Sequence, residues 1–288
     1  MRTLRVALAL LLGGAATSAF AAPELGAGYG AGMVFQRGEP IMIAGKAEPR
    51  ARVTGELGGA QAAAEADAAG RFTLTFPARE ASATPIELVL SDGSGTTRVG
   101  DLLIGDVYLC SGQSNMELPV ERSLNVASEL READDAGVRL LKIPLATASV
   151  PQDNFGKPVA WTAASAQTVA EFSAACYYMG KRLRAARPDV PVGLIHSNWG
   201  GSQARPWLSP ESGAALYGEA EMDLLPQFER DQLAAAQAFA PRWYDWWRER
   251  DGRREPWRDS SSLSWQPVPQ ISFWNEWKGT GLDEQPLA

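Results

Sequence analysis

Ser114 stands in the run Asp106-Val107-Tyr108-Leu109-Cys110-Ser111-Gly112-Gln113-Ser114-Asn115-Met116, where a short apolar stretch leads into a glycine-containing turn. The turn presents a hydroxyl between two amide side chains, Gln113 and Asn115, which are candidate substrate-binding groups. An open parallel sheet collects its ligands at the carboxyl ends of its strands, so this is where a nucleophilic serine belongs. A serine hydroxyl attacks an acyl carbon only if a base takes its proton and fixed donors receive the oxyanion. The serine's own backbone amide, held by the tight turn, is a natural first donor. A second strand-like stretch ends in glycines at Gly193-Leu194-Ile195-His196-Ser197-Asn198-Trp199-Gly200-Gly201-Ser202. Glycine suits a position where the backbone must approach a substrate closely.

The elements that must position these residues follow from hydropathy period and turn chemistry. Phe72, Leu74 and Phe76 alternate with polar neighbours, Ile86, Leu88 and Leu90 follow Pro85, and Ser91-Asp92-Gly93 makes a turn. Residues from about 30 to 100 therefore read as a small β domain. From about 102 the pattern becomes strand, helix, strand. It predicts a helix over 121–132, a buried strand over 138–143, a helix over 172–186 ended by Pro188, and a strand over 192–197. Such alternation implies a parallel sheet with covering helices. Beyond about 222 the chain is rich in Pro, Ser and Trp, with a helix expected over 229–240 and broken or restarted by Pro241. Trp243, Trp246, Trp247, Trp257, Trp265, Trp274 and Trp277 all lie there. Tryptophan stacks on sugar rings, but the helical spacing of Trp243, Trp246 and Trp247 favours burial against a neighbour.

Composition narrows the function classes. With 288 residues, 45% of them hydrophobic, the chain can bury two modest cores. A formal charge of -7 and the lack of a cationic stripe argue against nucleic acid or anionic membrane as a partner. Basic Arg2 and Arg5, a short apolar run over 6–12 and Ala19-Phe20-Ala21 read as an export signal over 1–21, with the mature chain starting near Ala22 and placed in the periplasm or outside the cell. A membrane anchor is the competing reading, and the apolar run is far short of the roughly 20 residues a span needs. Cys110 and Cys176 are the only cysteines and fall in apolar patterns, which favours two free buried thiols over a bridge. One histidine and two scattered cysteines give no metal-ligand spacing, so no metal or other cofactor is expected.

The Gly112-Gln113-Ser114-Asn115-Met116 block resembles the nucleophile turn of the SGNH (GDSL-like) hydrolases, in the form carried by the sialate O-acetylesterase family. Met33-Val34-Phe35-Gln36-Arg37, the Gly45-Lys46-Ala47 corner and Asp67-Ala68-Ala69-Gly70-Arg71-Phe72 are similar to that family's N-terminal β region, and they occur in the same order. The resemblance implies an α/β fold: an SGNH-hydrolase (flavodoxin-like, three-layer) domain, incomplete here, preceded by a small β-sandwich. Its expected boundaries are 22–101 for the β-sandwich, 102–221 for the first part of the hydrolase domain, and 222–288 for the start of a Trp-rich insertion marked by Gln266-Pro267-Val268-Pro269 and Phe273 to Trp277. It implies Ser114 as nucleophile, Gly200 or Gly201 as an oxyanion donor, and an O-acetylated sugar or sialic acid as substrate. Arg205 stands where the family commonly carries an acidic residue. Its planar fork suits an anionic group such as a sialate carboxylate, and an ordinary surface arginine is the plainer alternative.

The base is the difficulty. The family draws its histidine and acid from an Asp-x-x-His or Asp-x-His-Pro block, and this sequence contains neither. The single histidine, His196, is expected on a buried strand beside the nucleophile strand, where a satisfied core role outweighs catalysis. The expectation is therefore a carbohydrate O-acetylesterase whose activity in this chain is weak or absent. A non-catalytic carbohydrate-binding protein and an acetylxylan esterase are the alternatives.

Overall fold

The computed structural model describes residues 22–250 and 276–279. The chain divides into two compact units, 1–208 and 209–288. The expected export signal and the Gln266 to Phe273 block lie outside the described residues, as do Trp257, Trp265 and Trp274.

The first unit opens with β1 (Glu24–Leu25), β2 (Val34–Gln36), β3 (Ile41–Lys46), β4 (Arg52–Leu57), β5 (Ala60–Glu65), β6 (Arg71–Phe76), β7 (Ser82–Ser91) and the long β8 (Thr96–Cys110). Strands β1, β3 and β6 make one antiparallel sheet. Strands β4 and β5 pair with each other, and β4 also pairs with β7, which runs antiparallel to the first part of β8. Alternation places every second residue of β4 and β6 inside, so Val53 and Leu57 meet Phe72, Leu74 and Phe76 in one core with Ile43, Leu88 and Leu90. Burying each of these large side chains stabilises the fold by roughly 1.5–3 kcal/mol relative to exposure.

Strand β8 then changes partners. It pairs with β2 in parallel over Leu103 to Gly105, and its last five residues, Asp106 to Cys110, run parallel to β11 (Val192–His196). Gly105 makes the transfer possible, because a Cβ there would collide with the Pro191 carbonyl. The Asp106 amide donates to that same carbonyl at 2.9 Å, and Arg37 Nε donates to the Asp106 carboxylate at 2.7 Å.

Between β8 and β11 lie α1 (Ser114–Glu117), α2 (Val126–Arg131), β9 (Asp135–Lys142), β10 (Trp161–Ala164), α3 (Ala166–Ala170) and α4 (Ala174–Ala186). The order β10-β9-β11-β8 is parallel through β9, β11 and β8, and β10 closes the edge antiparallel to β9. The central sheet is thus mixed. Helix α4 lies close on β11 because its face carries small residues, and a Cβ at Gly180 would stand 2.6 Å from Leu194. Val138, Leu140, Val169, Phe172, Tyr177, Val192 and Leu194 fill this second core.

Three expectations for this unit need correction. The helix expected over 121–132 is two pieces, a 3-10 turn at Val120–Arg122 and α2 from Val126, because Asn125 takes a left-handed φ of 60° that interrupts a right-handed helix. The helix expected from Phe172 begins at Ala174, where Ser173 Oγ caps it by accepting from the Cys176 amide at 3.2 Å. The two cysteines are not free thiols but a disulfide, Cys110–Cys176, with Cα atoms 5.9 Å apart. The end of β8 and the first turn of α4 face each other across the second core, a tertiary proximity that sequence spacing does not display.

The second unit holds α5 (Pro210–Tyr217), α6 (Glu219–Met222), α7 (Leu224–Arg230) and α8 (Gln232–Arg250). Helix α8 runs through Pro241 instead of breaking there. In the following turns Trp243 and Trp246 stack at 4.9 Å and Trp247 tilts against both. Trp243 and Trp246 are 45% and 43% exposed and Trp247 is half-buried.

Candidate active site

Strand β8 ends at Cys110, and the next four residues reverse the chain into α1. Gly112 has a φ of 149°, and a Cβ there would meet that of Met116 at 3.2 Å, so the turn closes most easily with glycine. Helix α1 starts at Ser114 itself, with Glu117 and Leu118 amides donating to the Gln113 and Ser114 carbonyls at 3.0 Å each. The serine side chain is exposed at the end of the strand. Asn115 stands exposed on the same turn.

The second glycine turn is tied to the first by main-chain and side-chain bonds. The Ser197 amide donates to the Cys110 carbonyl and the Trp199 amide to the Gly112 carbonyl, each at 3.1 Å, and Asn198 Nδ2 donates to the Met116 carbonyl at 3.3 Å. These bonds continue the parallel register of β8 and β11 beyond the sheet. They bring Gly200 so near that a Cβ on it would stand 3.5 Å from Ser114 Cα.

Side chains of the first turn close the arrangement. Gln113 Oε1 accepts from Ser114 Oγ at 3.2 Å and from the Gly201 amide at 3.3 Å. The Gly200 amide donates to Glu117 Oε2 at 2.5 Å. Ser114, Gln113, Gly200 and Gly201 are therefore one cluster. Both glycine amides are held by side-chain oxygens, so an oxyanion formed at Ser114 would replace one of those oxygens. Sequence reasoning missed Glu117. An acid three residues after the first residue of a helix is a readable first-turn signal, but nothing in the sequence ties it to an amide 83 positions away.

A cavity of about 640 Å³ opens at Ser114, lined also by Glu117, Leu118, Lys142, Leu145, His196 and Asn198. His196 is 5% exposed, at the end of β11, with its ring edge-on to Phe172 at 5.1 Å between centroids. Its Nδ1 and the Oδ1 of Asn198 are buried and have no hydrogen-bond partner among the described residues. Burial pushes the imidazole pKa below its ordinary 6.5, Lys142 acts in the same direction, and Asn198 and Glu117 counter them. The histidine thus shares a cavity wall with Ser114 while sitting inside the core.

A second cavity, about 410 Å³, lies along the glycine turn and is lined by Ala146, Thr147, Ala148, Trp199, Gly200, Gly201, Ser202, Pro206 and Trp207. Residues 143–148 continue from the wall of the first cavity into that of the second. Arg205 opens a short 3-10 turn, Arg205–Trp207, exposed and outside both of these walls. Among the described residues no helix is long and apolar enough to cross a membrane.

No protein-family model matches the sequence. Over 124 residues, 41% of this chain and 24% of the relative, it is 35% identical to sialate O-acetylesterase of Homo sapiens. Over 136 residues, 43% of this chain and 25% of the relative, it is 32% identical to the Mus musculus protein of the same name. A solved structure of a carbohydrate acetylesterase from Xanthomonas citri superposes with a TM-score of 0.64 at 32% identity, covering 69% of this chain and 45% of that one. The matched region thus spans about a quarter of these curated relatives and under half of the solved structure.

Proposed function

We propose that this chain, a member of the sialate O-acetylesterase family over the portion it spans, contributes the nucleophile half of a serine esterase that removes O-acetyl groups from carbohydrates. The observation that carries the reading is the juxtaposition of an exposed Ser114 hydroxyl with the Gly200 and Gly201 amides. In this reading Ser114 attacks the acetyl carbonyl, and its own amide and that of one glycine receive the oxyanion. Gln113 holds the hydroxyl and the second turn together, Asn115 contacts substrate, and Arg205 is kept for an anionic sugar group. The sequence lacks the Asp/His block that would take the serine proton, so acylation and deacylation in this chain are slow.

The same reading takes 1–21 as an export signal, which places the protein in the periplasm or outside the cell. Residues 22–101 are its small β-sandwich, 102–221 the first part of an SGNH α/β domain, and 222–288 the start of an insertion. No cofactor takes part. Acetate release from O-acetylated xylo-oligosaccharides and from O-acetylated sialic acid, by the chain and by Ser114→Ala, tests the proposal. Slow release that Ser114→Ala abolishes is expected.

A second reading is favoured by two observations: side-chain oxygens hold both glycine amides, and the only histidine is buried. In it the chain binds acetylated sugars without cleaving them. Equal acetate release by the chain and by Ser114→Ala would favour that reading.

A further inference from the structure

We infer that the 410 Å³ cavity on the far side of the glycine turn is a subsite for a neutral pyranose ring of the sugar chain that bears the ester. The inference rests on the esterase reading for its neighbour, Ser114, but not for its own contacts. Gly200 and Gly201 form part of its wall, so whatever fills it abuts the turn that stands against Ser114. The volume falls in the range of small-molecule sites.

The wall chemistry selects the occupant. Trp199 and Trp207 supply indole rings, Pro206, Ala146 and Ala148 supply apolar surface, and Thr147 and Ser202 supply hydroxyls. A pyranose has apolar C–H faces and a polar rim, which suits aromatic surface edged by hydroxyl groups. No ionisable side chain lines the cavity, so a carboxylate placed there would lose its hydration without gaining a cation. A sialate carboxylate is therefore poorly served, and a neutral hexose or pentose is the better fit.

The indole is also preorganised. Trp207 is 45% exposed, yet its Nε1 donates to Ser202 Oγ at 3.0 Å, and that hydroxyl donates to the Trp199 carbonyl at 2.7 Å. A large aromatic left half in solvent but anchored by its polar edge presents a ring face at little further entropic cost. The anchor ties the indole to the same turn that carries Gly200.

Calorimetric titration of the 288-residue chain with xylohexaose, cellohexaose and N-acetylneuraminic acid tests the inference. The variants are Trp207→Ala, Trp207→Phe and Ala148→Trp, with folding checked by circular dichroism. Ala148→Trp fills the cavity from another of its lining residues and leaves Trp207 in place, so the test survives if Trp207→Ala does not fold. The expected result is binding of at least one neutral chain, weakened roughly tenfold by Trp207→Ala or Ala148→Trp and kept by Trp207→Phe. Unchanged affinity in Ala148→Trp, no binding of either neutral chain, or tighter binding of N-acetylneuraminic acid than of both would overturn it. None of these outcomes bears on acylation of Ser114, which is read separately by mass.

Discussion

The Gly200 amide donates to the Glu117 carboxylate at 2.5 Å, and this bond fastens the second glycine turn to the helix that begins at Ser114. A hydrogen bond to a charged acceptor contributes about 1.5–3 kcal/mol, with less expected at a half-buried site such as this. Glu117→Ala is expected to lower unfolding stability by about 1–2 kcal/mol, read as a shift of the urea midpoint without a change of slope. Gly200→Ala should cost a similar amount, because the new Cβ would displace the Glu117 oxygen. An unchanged midpoint in both variants would mean that the turn is held by its other bonds, from Ser197, Asn198, Trp199 and Gly201.

Burial of His196 sets a pH dependence. Its folded pKa lies below 6.5, so as pH falls past 6.5 the unfolded state takes up the proton first and the native state loses stability. Urea midpoints measured from pH 7.5 down to 5 should fall, and His196→Gln should remove most of that slope. Asp101 acts in a separate, lower window. Its hydrogen bond from Arg139 holds its carboxyl below 3.8, so its contribution is present above that value and is lost as pH falls through the depressed one. An identical slope between pH 7.5 and 5 in the chain and in His196→Gln would show that the imidazole protonates as freely folded as unfolded.

The Cys110–Cys176 bridge closes a loop across 66 positions and joins the end of β8 to α4. Chain-entropy arithmetic gives about 4 kcal/mol for such a loop. Cys110→Ala with Cys176→Ala, or reduction of the chain, should lower the unfolding midpoint accordingly. Free-thiol titration of the denatured, unreduced protein should find none, and two free thiols would contradict the bridge.

Much of this arrangement was legible in the residues. The alternation around Phe72, Leu74 and Phe76 and the apolar runs before Ser114 and Gly200 marked strands correctly, because each buries one face or both against a continuous core. The junction of Ser114 with the glycine turn followed from two strands that end alike and pair in parallel. Long-range pairings were not legible. Glu117 with Gly200, Cys110 with Cys176, and the antiparallel edge strand β10 depend on tertiary placement, which local spacing does not encode. The left-handed Asn125 and the helix that survives Pro241 show packing and single-residue geometry overriding the periodic pattern.

The most direct test of the central claim is to incubate the chain with p-nitrophenyl acetate and map the acetyl group by peptide mass spectrometry. With the proton acceptor of the family block missing from the sequence, deacylation should lag, so an acetyl adduct on the peptide containing Ser114 is expected to accumulate and to be absent in Ser114→Ala. Acetylation confined to lysines, with Ser114 unmodified after prolonged incubation, would contradict the assignment of Ser114 as the nucleophile.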